Sequence, residues 1–198
     1  MQDISKNKIY LSLVINQIIQ QIPKHSFSVL DWDDTLFPTS WIHKKQIDLN
    51  NKNIRKQNIP FFVELDDILF KFLIKLLNMS KVVIVTNARM KWIKKTSELI
   101  PNTSDLINNY IEIISARDLH EKQFPNNSHK WKELVFRDII NIRLSNSKNI
   151  ISVGDGNSEY LALNKLYELP NFFTEYRILK AIKLKKNQHI VYLLIKLN

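Results

Sequence analysis

Four short runs of the chain are apolar or β-branched at nearly every consecutive position: FSVLDWD (27–33), KVVIVTN (81–87), YIEIISA (110–116) and NIISVGD (149–155). Runs of this kind mark strands covered on both faces, as in a mostly parallel sheet, whereas half-exposed strands alternate. Between them, over 63–78, 89–100, 128–144 and 158–169, apolar residues recur at three and four. Leu65, Ile68, Leu69, Phe72, Leu73 and Leu76 make the clearest stripe, and such spacing collects on one face of a helix. Strand and helix in alternation imply right-handed crossovers, hence an α/β fold with helices on both faces of the sheet. The stretch 172–184 predicts a fifth strand and 189–198 a closing helix. Near the N-terminus, IYLSLVINQIIQQI is apolar but broken by Asn16, Gln17, Gln20 and Gln21, and predicts an amphipathic helix over about 5–22. The segment 41–60 is only loosely patterned and reads as part of a polar insertion, about 38–60, between the first strand and its helix.

Composition sharpens this picture in three places. A chain of 198 residues that is 44 % hydrophobic supports one well-buried core, so the expectation is a single domain over 1–198 with its core at about 26–198. The absence of cysteine excludes disulfides, thiolate metal sites and a cysteine nucleophile, so any metal must be held by oxygen or histidine. Histidine at 43, 120, 129 and 189 shows no ligand spacing, and His25 precedes the first strand. The formal charge of +10, from 29 Lys and Arg against 19 Asp and Glu, favours anionic partners without naming one. No apolar run approaches the roughly 20 residues that span a bilayer, and the expectation is a cytoplasmic protein with no membrane partner. HxxxH, CxxC, GxSxG and Walker-type patterns are missing, so zinc-hydrolase, serine-hydrolase and P-loop chemistry have no support.

The chemistry gathers where predicted strands end. Asp31, Asp33 and Asp34 follow the first run directly, with Thr35 next. Asp31 and Asp33 are two apart, so on an extended segment they point the same way, and crowded carboxylates either raise a pKa or bind a hard cation such as Mg²⁺. Thr86 and Asn87 close the second run. The helix pattern SHKWKELVF offers Lys130 and Lys132, both flanking its apolar face. The fourth run ends in Gly154, Asp155 and Gly156, followed by Glu159, and those are the only two glycines in the chain. Spending both beside one aspartate implies unusual torsions or close approach to a ligand there. Ligands of open α/β sheets bind beyond the carboxyl ends of the strands, which is where the Asp31, Asp33 and Asp34 cluster falls.

Asp31-x-Asp33-x-Thr35, Thr86, Lys132 (or Lys130) and Gly154-Asp155 with Glu159, in this order, resemble the four motifs of the haloacid dehalogenase (HAD) superfamily of phosphohydrolases and phosphotransferases. The resemblance spans roughly residues 27 to 184. It implies a Rossmann-like three-layer sandwich with a minimal cap and a Mg²⁺-dependent phosphatase working through an aspartyl phosphate. By the same resemblance Asp31 is the nucleophile and Asp33 the general acid and base, with Thr35 orienting Asp33. The Thr86 hydroxyl, the Asn87 backbone amide and Lys132, preferred over Lys130, bind phosphoryl oxygens. Asp31, Asp155 and the Asp33 carbonyl hold the metal, with Glu159 behind them. With so little chain for a cap, the site should be open and suit a phosphomonoester on something large, a phosphoprotein or a nucleic-acid end. Trp32, Phe37 and Trp41 stand near its mouth as candidates for substrate contact. The alternatives are a phosphotransferase or mutase with the same motifs, and a basic nucleic-acid-binding module that retains the fold without catalysis.

Overall fold

The computed structural model describes residues 25–143, 147–169 and 177–185. Five strands form one sheet: β1 (Ser26–Leu30), β2 (Lys81–Thr86), β3 (Glu112–Ser115), β4 (Asn149–Gly154) and β5 (Ile178–Lys183). Their order is β3-β2-β1-β4-β5, and every pairing is parallel. From β1 the chain steps outward to β2 and β3, then returns to lay β4 on the other side of β1. The order therefore reverses between β1 and β4, and a crevice opens at their carboxyl ends.

Alternation along each strand divides the interior in two. Leu30, Val82, Ile84 and Val153 face one layer, with α3 (Ile59–Met79), α4 (Met90–Ser97) and α5 (Pro101–Tyr110). Phe27, Val29, Val83, Val85 and Ile150 face the other, with α6 (Ala116–His120), α7 (Ser128–Arg143) and α8 (Ser158–Lys165). The continuous apolar runs thus read as they do because neighbouring residues serve opposite layers. Among the described residues no helix is long and apolar enough to cross a membrane.

Three segments depart from the sequence pattern. The polar insertion contains two short helices, α1 (Thr39–Lys44) and α2 (Lys52–Gln57), and it buries Ile42 and Leu49. Asn51 starts α2 by accepting from the amides of Asn53 and Ile54. The predicted strand 110–116 is shorter because Ser115 ends it: its hydroxyl donates to the Ala88 carbonyl (2.7 Å) and accepts from the Asp118 amide (3.0 Å), which caps α6. The helix α5 has few apolar positions and no local capping side chain. The predicted N-terminal and closing helices, and the start of the predicted fifth strand, lie outside the described residues.

The cap of α5 comes from a distant part of the chain. The buried Asp66 carboxylate of α3 accepts from the Asn102 amide (3.0 Å), the Thr103 amide (2.7 Å) and the Asn102 side chain (3.0 Å). A negative charge at a helix N-terminus, meeting amides that no helical carbonyl can reach, is favourable on both counts. Asp66→Leu leaves two of those amides without an acceptor, one of them buried, and should cost about 2–4 kcal/mol in urea unfolding. A loss below about 1 kcal/mol would contradict the capping role.

Candidate active site

Strand β1 stops at Leu30 because the chain turns sharply there. The Trp32 carbonyl accepts from the amides of Thr35, Leu36 and Phe37, and the Asp34 amide returns to the Phe37 carbonyl at 2.8 Å. Asp34 sits at φ 53°, a left-handed conformation that aspartate tolerates better than most residues. Its carboxylate accepts from the Ser40 amide (2.7 Å) and from the Ser40 hydroxyl, tying the turn to the start of α1. The turn drives Trp32 and Phe37 into the core, where the rings stack at 6.0 Å and the indole N–H of Trp32 finds Thr96 Oγ1 at 3.2 Å. Neither faces the site mouth, and Trp41 stacks on Phe61 at 4.3 Å. The three aromatic residues proposed as substrate contacts are packing residues.

Asp31 and Asp33 each have their own partners, and the charge of Asp33 is felt at Asp31. Asp31 is buried beside the end of β4, its amide donating to the Val153 carbonyl at 3.0 Å. Its Oδ1 lies 2.8 Å from Nζ of Lys132. Asp33 accepts from Trp92 Nε1 at 3.0 Å and from the Thr39 hydroxyl at 2.5 Å. Thr35, expected to orient Asp33, is fully buried and its hydroxyl makes no hydrogen bond among the described residues. Thr39 and Trp92 do that work instead. Sequence pattern could not have shown this, since Trp92 arrives from α4, 59 positions further along.

The two candidate lysines separate clearly. Asn127 caps α7 by accepting from the Lys130 amide (3.2 Å), and the indole of Trp131 donates to the Phe124 carbonyl (2.7 Å), which fixes the first turns of the helix. Lys130 then pairs outward with Glu133 at 2.7 Å, its side chain about a third exposed. Lys132 turns inward, 1 % exposed, and its ammonium bridges Asp31 and Glu159. Glu159 comes from the first turn of α8 and also accepts from the Ser158 hydroxyl at 2.8 Å.

The glycines explain how Glu159 reaches this position. Neither has a positive φ, so torsion is not the reason for them. A Cβ on Gly154 would stand 2.3 Å from Cγ of Glu159, and one on Gly156 would stand 3.0 Å from its Oε2. The close approach is therefore that of a carboxylate from the same chain, lying across the backbone of the β4 exit.

Charge balance follows from burial. Desolvation pushes the Asp31 carboxyl up to about 7, against the pull of Lys132 and with help from Glu159. Burial works against the Lys132 ammonium, yet the Asp31 and Glu159 carboxylates outweigh it and hold Lys132 above the ordinary lysine value. Glu159 is also penalised by burial, but the Lys132 charge and hydrogen bond keep it below the ordinary range. Half-buried Asp155 is raised, first by desolvation and then by the charges of Asp34 and Glu159. Two buried carboxylates thus share a single buried cation, and two more carboxylates stand close by.

Whether a divalent cation fits can be judged from this imbalance. Among the described residues no three acidic or histidine side chains converge as a ready-made metal cluster. The predicted set asks for only two carboxylates, Asp31 and Asp155, with the Asp33 main-chain oxygen, and those two leave adjacent strands whose partners are Leu30 and Val153. The surplus negative charge, and the buried Glu159 Oε2 with no hydrogen-bond partner among the described residues, are what a hard cation would offset. The residues present fit the ion.

The remaining wall is β2. Thr86 at its end is fully buried and accepts from the Ala88 amide at 3.0 Å. That bond uses the oxygen, and a hydroxyl keeps its proton as a donor. Asn87 donates through Nδ2 to the Ser128 carbonyl at 3.2 Å, and its buried Oδ1 has no partner among the described residues. Asp34, not among the predicted site residues, is held by Ser40 near enough to Asp155 for its charge to help raise that carboxyl. Its signal was its position one residue beyond Asp33.

No protein-family model and no curated protein matches the chain. Among solved structures it is similar to the HAD domain of effector protein Lem4 from Legionella pneumophila, with a TM-score of 0.50 and 13 % identity, covering 86 % of this chain and 92 % of that one. At that identity the likeness concerns the fold alone. The fold is a Rossmann-like α/β sandwich with an all-parallel sheet among the described strands, of the kind seen in that HAD domain.

Proposed function

We propose that the chain is a Mg²⁺-dependent phosphohydrolase acting through an aspartyl phosphate on Asp31. The observation that carries this reading is the buried Asp31–Lys132–Glu159 group at the rim of the sheet, with Thr86 and Asp155 on the flanking strand ends. A buried lysine held charged by two carboxylates is a costly arrangement for a merely structural purpose, and such costs concentrate at functional sites. The HAD-type fold supports a hydrolase of this class.

In this reading the Asp31 carboxylate attacks phosphorus in line, forming an O–P bond as the bond to the leaving oxygen breaks. Asp33, held by Trp92 and Thr39, gives a proton to that oxygen and then takes one from the water that cleaves the aspartyl phosphate. Lys132, the Thr86 hydroxyl and the Asn87 amide stabilise the equatorial oxygens. Asp31, Asp155 and the Asp33 carbonyl would hold Mg²⁺, which would offset the carboxylate charge and let a phosphate dianion approach. Glu159 keeps Lys132 charged and in place.

The intermediate can be trapped. Borohydride reduces an acyl phosphate to an alcohol, so quenching turnover of an aryl phosphate with borohydride should convert residue 31 to homoserine, read by peptide mass spectrometry. Hydrolysis with an unmodified Asp31, or with the label on another residue, would overturn the nucleophile assignment.

A further inference from the structure

Alongside Asp33, on the side where a leaving group would sit, lies a cleft of about 470 Å³ between α1, α4 and the β2 exit. This is within the range of pockets that hold a small organic group. Its charges are of two kinds. Arg89 and Arg117 are committed, both paired with Glu121, Arg89 also with Asp118. Lys91 and Lys95 are not: they stand one turn apart on α4, and Lys91 has no ion-pair partner among the described residues. The Lys95 ammonium donates to the neutral Asn50 side chain at 2.8 Å. Two uncompensated cations therefore flank the cleft on one helical face.

Two further features concern shape and polarity. The Trp92 and His43 rings line the cleft nearly parallel, 18° apart with centroids 5.9 Å apart, and the hydrogen bond from the indole to Asp33 fixes the ring plane. The Asn87 side-chain amide beside them is held by its bond to the Ser128 carbonyl, and its Oδ1 is buried with no partner among the described residues. The cleft thus offers a stacked aromatic pair on its wall and positive charge just beyond.

A nucleotide answers each of these. Its base stacks on aromatic rings, and a following phosphodiester carries the negative charge that Lys91 and Lys95 lack. A phosphotyrosine peptide could also set a ring there, but it brings charge to the lysines only where a neighbouring residue is acidic, whereas every next nucleotide brings a phosphodiester. We propose, building on the phosphohydrolase reading above, that the substrate is the phosphorylated end of a single-stranded nucleic acid: terminal phosphate at Asp31, terminal nucleoside in this cleft, next phosphate at Lys91 and Lys95. The products are inorganic phosphate and a strand ending in a hydroxyl.

The test compares the wild-type chain with the Lys91→Glu/Lys95→Glu double variant, in Mg²⁺, on four kinds of substrate. These are 4-nitrophenyl phosphate, a thymidine monophosphate, an acidic phosphotyrosine peptide, and single-stranded oligonucleotides phosphorylated at the 5′ or the 3′ end. In wild type one oligonucleotide should have the highest kcat/KM, exceeding the mononucleotide and falling steeply with salt. The double variant should lose at least about tenfold on that oligonucleotide while its turnover of 4-nitrophenyl phosphate changes less than about twofold. Preference for the phosphopeptide, or oligonucleotide turnover unaffected by the double variant, overturns this inference alone. If wild type hydrolyses none of the four, the phosphohydrolase reading itself fails, and this inference with it.

Discussion

Asp31→Asn should abolish Mg²⁺-dependent hydrolysis of an aryl phosphate, by about 10⁴-fold or more, and at the same time stabilise the metal-free protein at pH 8. The first effect follows from removing the attacking oxygen's charge. The second follows from burial, which raises Asp31 to about 7 in the folded state, from the ordinary 3.8. A carboxyl whose folded pKa is raised contributes stability while protonated; that contribution is complete below the unfolded pKa and is lost as pH climbs through the folded one. Without metal, wild type should therefore weaken between about pH 4 and 7, whereas asparagine, neutral throughout, has nothing to lose there. Urea unfolding of both proteins at pH 5 and pH 8 in EDTA gives the comparison. The advantage of the variant should be larger at pH 8, and adding Mg²⁺ should stabilise wild type much more than the variant. An advantage that is flat with pH would mean that Asp31 does not sit in the low-dielectric, charge-crowded position described; residual hydrolysis near the wild-type rate would remove it as nucleophile.

Much of this site could be read along the chain because its residues belong to strand ends, and strand ends are visible as places where an apolar run stops. Asp31, Thr86 and Asp155 stand at such ends, and it takes the resemblance to the four motifs, in their order, to single them out as candidates. What the chain did not disclose is which side chains hold them. The resemblance makes Thr35 the partner of Asp33, yet the turn that the Trp32 carbonyl organises buries its hydroxyl with no hydrogen bond among the described residues, and Asp33 is held by Thr39 and Trp92. The same holds for α5, whose cap is Asp66 on another helix. Propensity and periodicity are local quantities, and contacts across 36 or 59 positions leave no trace in either. The glycines mislead for a related reason: sequence shows that the backbone must be bare, but the group crossing Gly154 is Glu159, five residues on, and not a ligand. Lys130 and Lys132 were inseparable by periodicity since both flank the apolar face of α7, and only the arrangement of three elements around Lys132 distinguishes them.

Lys132 is the residue on which folding and chemistry depend together. Lys132→Met preserves the length and most of the volume of the side chain, so the core stays filled, but it leaves Asp31 and Glu159 buried without a cation. Removing one partner of a buried ion pair costs about 3–5 kcal/mol, most of it from the charge left behind. The loss should be greatest at pH 8 and smaller at pH 5, because without Lys132 both carboxyls move upward and can take up protons in acid. Activity should fall by at least about 10²-fold in the fraction that remains folded, as expected when a charge that stabilises the transition state is lost. The Asp31→Asn/Lys132→Met double variant separates the two consequences: with one of the stranded charges gone, it should recover part of the stability while remaining inactive. Strict additivity of the two changes in stability would show that the residues do not interact, and a cost below about 1 kcal/mol for Lys132→Met would mean that its ammonium is solvated rather than enclosed between Asp31 and Glu159.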